Sequence, residues 1–407
     1  MKLRLLSRAF DGFERSFNEQ IRTFKELHQD VEIEVDFIEI SELERRVVYG
    51  EDRNVDYDVL LANTDWLPAL VRDRKILCLD TYLKNVPERI GWPSGWSPSM
   101  LSLQTFDEKT FGVPYHDGPQ LFMYRKDLFF DSNERKKFKD VYGYDLSVPK
   151  TWSQFADIAK FFTRPEQGLW GTLLAGFPDS HNIVYDFLIQ LWSRGGEFLR
   201  DRKAAFNDEV GLEALKFYID LAINDKVVPP NFRDLDSVAS GEYFASGHVA
   251  MMWNWSGFAA VADSPTSKVK GQVACTHIPR GDGPHGKHVS LNVYWVLTIP
   301  SSARNPDASW QFIQHCMSPE MDKVTSMAGG NGTRLSTWRD SEVQAQYPYY
   351  KVIEDIHKEV RSTPSIPEYP LLADILNDMM VRALNGLPAQ DCLNWAENEI
   401  NRILQTK

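Results

Sequence analysis

Along the first sixty residues the apolar positions switch between two periods. Leu3, Leu5 and Leu6 mark a short strand, and Phe13, Phe17, Ile21, Phe24 and Leu27 then recur at the spacing of one helical face. Val31, Ile33, Val35 and Phe37 alternate with Glu32, Glu34 and Asp36, predicting a half-buried second strand. Ser41-x-x-Glu44 reads as a capping box opening another helix, and residues 57–62 as a buried strand. This βαβα alternation predicts an α/β fold with a mostly parallel sheet. Ligands of such sheets bind beyond the carboxyl ends of the strands. The loops at 8–11 and 63–66 lie there, and each carries an aromatic and an acidic residue. Arg8, Phe10, Asp11, Asp65 and Trp66 are therefore candidate contacts; solvated loops with one half-buried aromatic are the competing reading.

The stretch 111–127, FGVPYHDGPQLFMYRKD, breaks the pattern. Gly112 frees the backbone, while Pro114 fixes its own φ and pushes Val113 out of the helical region. This is read as a crossing between two lobes, with Tyr115, His116 and Asp117 just behind it; a surface turn is the alternative. Thr151-x-x-Gln154 opens a capped helix, 169–173 reads as a strand, and a helix through 185–192 ends at Gly195-Gly196. The apolar run 249–253 delivers Asn254 and Trp255 at a strand end, a third candidate loop. A polar segment at 263–270 reads as the return crossing, followed by a strand at 272–278. Asn292, Tyr294 and Trp295 lead into an apolar strand to 299. The loop 329–334 reads as flexible and carries Arg334, and two helices close the chain. The lobes are accordingly expected at 1–112 with 268–319, and at 113–267 with 320–407.

At 407 residues the chain is too long for one core, which agrees with two lobes. A net charge of −12 argues against nucleic acid and anionic membrane surfaces as partners. No run approaches the roughly 18 apolar residues of a membrane span. The sequence opens directly on a strand pattern without a secretory signal, so it is either cytoplasmic or has had its export signal removed. Cys78, Cys275, Cys316 and Cys392 are scattered, without a zinc or redox spacing, and Cys316 and Cys392 are expected as buried thiols.

No catalytic constellation is present: there is no GxSxG, P-loop, GxGxxG after a strand or HExxH. The His-containing loop 281–288 and the pair Tyr349-Tyr350 are weak metal candidates in Gly- or Pro-rich settings, so no metal and no cofactor is expected. What recurs is an aromatic with polar residues at strand ends. A Trp or Tyr face covers the C–H surface of a sugar, and Asp, Asn or Arg bonds its hydroxyls.

The chain resembles the carbohydrate-binding solute receptors of ABC importers, the group that includes maltose-binding protein. The resemblance lies in the helix at 13–28 before the acidic strand, in Tyr57-Asp58-Val59 with Asp65-Trp66, and in Phe111-Gly112-Val113-Pro114 with 121–129. It continues in 148–152, in 244–252, in Ile299-Pro300-Ser301-Ser302 ahead of 305–313, and in Leu384-Asn385-Gly386. It implies a type II periplasmic-binding-protein fold of two α/β lobes, with hinge closure read by membrane permease subunits. It also implies a non-catalytic monomer, periplasmic or anchored outside the cell once exported. By position Asp65 and Trp66 would hold sugar hydroxyls and Trp255 would stack; Arg8, Phe10 and Asp117 lie in matching loops. Relatives often have Gly-Gly ahead of the strand that here reads Asn292-Val293-Tyr294-Trp295, so this wall is bulkier. An Arg334 contact would favour an acidic or sulfonated sugar. A sugar sensor for a signalling partner, or an enzyme using a cleft cysteine, are the alternatives.

Overall fold

Leu3, Leu5 and Leu6 are buried and place the first strand, Lys2–Arg8, in the middle of a sheet. The computed structural model describes residues 1–50 and 57–405 and divides the chain into two compact units. The first comprises 1–119, 292–357 and 362–369; the second comprises 120–291, 358–361 and 370–407. The expected lobe boundaries therefore shift. The first crossing falls after Pro119 rather than Gly112, and the return falls at Asn292 rather than near residue 268. Residues 320–357 belong to the first unit. The physical reason is strand pairing: Val273–Thr276 is an antiparallel neighbour of Gln120–Arg125, which holds the chain in the second unit well past residue 270.

In the first unit, Lys2–Arg8 pairs in parallel with Glu32–Ile38 and with Val59–Asn63. Trp295–Thr298 then runs antiparallel to Val59–Asn63, and Val113–His116 antiparallel to Trp295–Thr298. The sheet is mixed rather than mostly parallel. Parallel neighbours need a crossover connection, usually a helix, and the excursion through the second unit lets the last strand enter in the opposite sense. The helix Asp11–Leu27 covers this sheet with Phe13, Ser16, Phe17, Gln20 and Phe24. Leu27, expected on the same face, is exposed because it is the helix's final residue.

The second unit is built on a three-stranded antiparallel sheet in which Gln120–Arg125 lies between Met251–Trp255 and Val273–Thr276. Residues 169–173 contribute only isolated bridges, not a strand. The run expected as one strand over 290–299 splits: Ser290–Leu291 pairs with Val360–Arg361 in the second unit, and Trp295–Thr298 joins the first. Helices Trp152–Phe162, Asn182–Ser193 and Ala389–Gln405 form where their periodicities predict. Cys316 and Cys392 are buried free thiols, Cys275 is half-buried and Cys78 exposed.

Candidate functional site

Lys2–Arg8 delivers Arg8 at its carboxyl end, and the chain turns at once into Asp11–Leu27 through an extended Phe10. The Arg8 guanidinium lies 5.8 Å from the centroid of the Trp295 ring. Trp295 meets Trp66 edge to face at 5.5 Å and Phe13 at 6.1 Å. Phe13 in turn contacts Phe10 at 5.1 Å and His116 at 4.7 Å. Arg8, Phe10, Trp66 and Trp295 are thus brought together in the first unit. Cation and aromatic faces in such contact attract each other through the ring quadrupole.

The loop after Val59–Asn63 is a short turn, not a solvated loop. Asn63 Oδ1 accepts the Asp65 backbone N–H at 3.0 Å, and Thr363 donates its hydroxyl to Asp65 Oδ1. Asp65 and Trp66 are both buried. Asp11 is exposed and lies 3.6 Å from Arg15 Nη1, an i,i+4 surface pair. Asn292 is fully buried, and neither its Oδ1 nor its Nδ2 has a hydrogen-bond partner among the described residues.

Three candidates are committed to the interior of the first unit. Asp117 is fully buried; its Oδ2 lies 2.7 Å from His357 Nε2, whose ring stacks on Trp338 at 4.6 Å, while its Oδ1 has no hydrogen-bond partner among the described residues. Tyr294 donates its hydroxyl to the Met100 carbonyl at 2.7 Å and also contacts Gln104 Oε1. Arg334 donates from Nη1 to the Met317 carbonyl at 2.9 Å and from Nη2 to the Ile90 carbonyl at 2.8 Å, with its guanidinium 4.3 Å from the Trp96 ring centroid. The loop 329–334 is not flexible: Asn331, Thr333 and Arg334 are buried, and Asp322 accepts the Thr333 and Arg334 backbone N–H groups at 2.8 and 3.2 Å. Both Nη groups of Arg334 are thus engaged by carbonyls of its own unit, while its Nε has no partner among the described residues.

In the second unit, Trp255 Nε1 donates to Asn182 Oδ1 at 2.8 Å, and Tyr185 meets the indole edge to face at 5.6 Å. Asn254 braces this turn: Nδ2 donates to the Ser237 carbonyl at 3.1 Å, and Oδ1 accepts the Trp255 N–H at 2.8 Å. Asn254 is therefore a support for Trp255, whose ring is half-buried. Asn182 and Tyr185 sit one turn apart on the helix Asn182–Ser193, and both are buried. Thr363 and His357 carried no sequence signal at all, because their partners lie far away in the chain. His116 did carry one, its place behind the Gly-Val-Pro break.

Burial together with the neighbouring Arg8 charge pushes the His116 imidazole down to about 3, so it is neutral at physiological pH. Among the described residues no group of three or more His, Cys, Asp or Glu is arranged to hold a metal ion. No helix among them is long and apolar enough to cross a membrane.

Residues 8–323 match the family described as bacterial extracellular solute-binding protein. The chain belongs to that family. A mannitol-binding protein of Pseudomonas aeruginosa is 24% identical over 306 residues, which is 69% of this chain and 66% of the relative. The maltose-bound MalE3 of T. maritima superposes with a TM-score of 0.86 at 23% identity, covering 99% of both chains. A solute-binding protein of an ABC transporter from Agrobacterium radiobacter K84, in complex with ribitol, gives 0.86 at 23% identity and covers 99% of this chain and 98% of its own. The shared fold is the two-lobe type II architecture that the sequence resemblance implied.

Proposed function

We propose that the protein is a non-catalytic receptor for a sugar or sugar alcohol in an ABC import system. It takes the ligand between its lobes, closes on it by hinge motion and presents it as a monomer to membrane permease subunits outside the cytoplasm. The observation that carries this reading is the side-chain amide of Asn292, fully buried with donor and acceptor both unpartnered among the described residues. Buried polar groups are almost always hydrogen-bonded, and leaving both ends of an amide dry is costly. A hydroxyl that donates and accepts at once is the natural complement, and a polyol supplies several.

The aromatic groups at the strand ends support the same reading. Phe10 and Trp295 in one unit, and Trp255 in the other, offer rings suited to the C–H faces of such a molecule. Solved relatives of this fold hold maltose and ribitol, which sets the class to be tried first. Titration calorimetry against D-mannitol, ribitol, maltose and neutral monosaccharides tests the proposal. Saturable one-to-one binding to at least one of these is expected, weakened about tenfold or more in Asn292→Leu by loss of its hydrogen bonds. Absence of binding across the panel overturns it.

A further inference from the structure

We infer that His116 is a specificity-determining residue of this ligand site, presenting a fixed hydrogen-bond donor, Nε2–H, to an oxygen of the bound sugar or polyol. The inference rests on the proposed receptor function and deepens it. His116 is the last residue of the strand Val113–His116 and the register partner of Trp295. Its Nδ1 lies 2.8 Å from the Asn331 backbone N–H. A peptide N–H can only donate, so Nδ1 must accept, and in a neutral imidazole the single proton must then sit on Nε2. The ring charges only under strongly acid conditions, being pushed down to about 3 by burial and by Arg8.

The tautomer is therefore set by the fold, through the ordered loop that carries Asn331. The ring is held edge-on between Phe13 at 4.7 Å and Phe10 at 6.2 Å, so its direction is set as well. His116 is half-buried, and Nε2 has no partner among the described residues. Its register partner Trp295 has the Arg8 guanidinium 5.8 Å from its ring centroid. A donor of fixed direction in aromatic surroundings selects a ligand oxygen that accepts at that point, and disfavours an analogue bearing a deoxy carbon there. Such a rigid donor has little side-chain freedom to lose on binding.

Two substitutions separate the two nitrogens. His116→Asn keeps an acceptor near the Nδ1 position and removes the Nε2 donor, whereas His116→Gln keeps a donor near Nε2 and removes the acceptor for Asn331. With whichever of D-mannitol, ribitol, maltose or the neutral monosaccharides binds wild type, His116→Asn should retain the wild-type melting temperature and lose about tenfold in affinity. His116→Gln should melt lower yet bind within about threefold of wild type. Wild-type affinity in His116→Asn, or equal losses of affinity in both variants, overturns the inference while leaving the receptor function intact. If wild type binds no member of the calorimetry panel, both readings fall together.

Discussion

A cation in a Gly-rich loop reads from sequence as an anion contact, because nothing nearby in the chain competes for it. Arg334 finds its competitors far away: the carbonyls of Met317 and Ile90, the Trp96 ring, and the buried carboxylate of Asp322, whose charge partly offsets the effect of burial on the guanidinium. Arg334→Ala would remove the donors that the Met317 and Ile90 carbonyls accept from, and the contact with the Trp96 ring. We expect a loss of roughly 2–6 kcal/mol in urea denaturation, about 1–3 kcal/mol for each buried carbonyl left without its donor. Affinity for a neutral ligand in the surviving folded fraction should be unchanged. Asp186 gives a second case at this scale. Its carboxyl is pushed up to about 8 by burial, more than the N–H of Trp253 at 2.6 Å can offset. Between the ordinary aspartate value and about 8 the folded state holds a proton that the unfolded chain has released. This contribution is therefore complete below pH 4 and is lost as the pH rises towards 8, at up to about 1.4 kcal/mol per unit. Unfolding free energies at pH 5 and pH 7.5 should diverge more in wild type than in Asp186→Asn.

Helix ends show which local signals survive folding. Thr151-x-x-Gln154 is realised: the helix begins at Trp152, the Thr151 hydroxyl accepts the Gln154 N–H, and the Gln154 side chain accepts the Lys150 N–H at 2.8 Å. Ser41-x-x-Glu44 carries the same pattern and is not realised. That helix starts at Ile40 after Glu39, so Ser41 lies inside the first turn, where its hydroxyl has no cap to form. Thr151→Ala should cost about 1 kcal/mol, while Ser41→Ala should fall within about 0.5 kcal/mol of wild type, both measured by denaturant midpoint. The glycine of the Gly-Val-Pro break teaches the same lesson about elements. Sequence assigns Gly112 to backbone freedom, yet its φ is not in the left-handed region; a Cβ there would meet Val296 Cγ2 at 2.8 Å on the adjacent strand. The break is thus a close approach of two strands, a fact about pairing that no local pattern contains. Strand and helix positions were legible because periodicity is local; strand sense was not, because antiparallel Trp295–Thr298 is decided by where the chain has been.

At the scale of the whole chain, two units were legible from length and from the interrupted α/β pattern, but the passages between them were not. The chain passes from one unit to the other after Pro119, Leu291, His357, Arg361 and Tyr369. Residues 358–361 are too short to carry a composition signal, and the helix Tyr369–Leu384 begins at a passage with no break in its pattern. The site was half legible for a related reason. Strand-end residues such as Arg8 and Trp66 follow from topology, whereas Asp117 and Tyr294 are polar residues behind a break whose burial only the packed unit reveals. If the proposed receptor closes on its ligand, binding is confined to the folded, two-unit state, and stability must rise by mass action. At a hundredfold excess over Kd a polyol that binds wild type should add about 2.7 kcal/mol to the unfolding free energy. The same addition should lower the radius of gyration in X-ray scattering, because closure moves mass inward. Asn292→Leu separates the two effects from nonspecific sugar stabilisation: a tenfold weaker affinity cuts the added stability at that concentration to about 1.4 kcal/mol and moves the midpoint of the scattering change to about tenfold higher ligand. A shift in melting temperature that persists undiminished in Asn292→Leu, with no change in the radius of gyration of either protein, would count against ligand capture by closure.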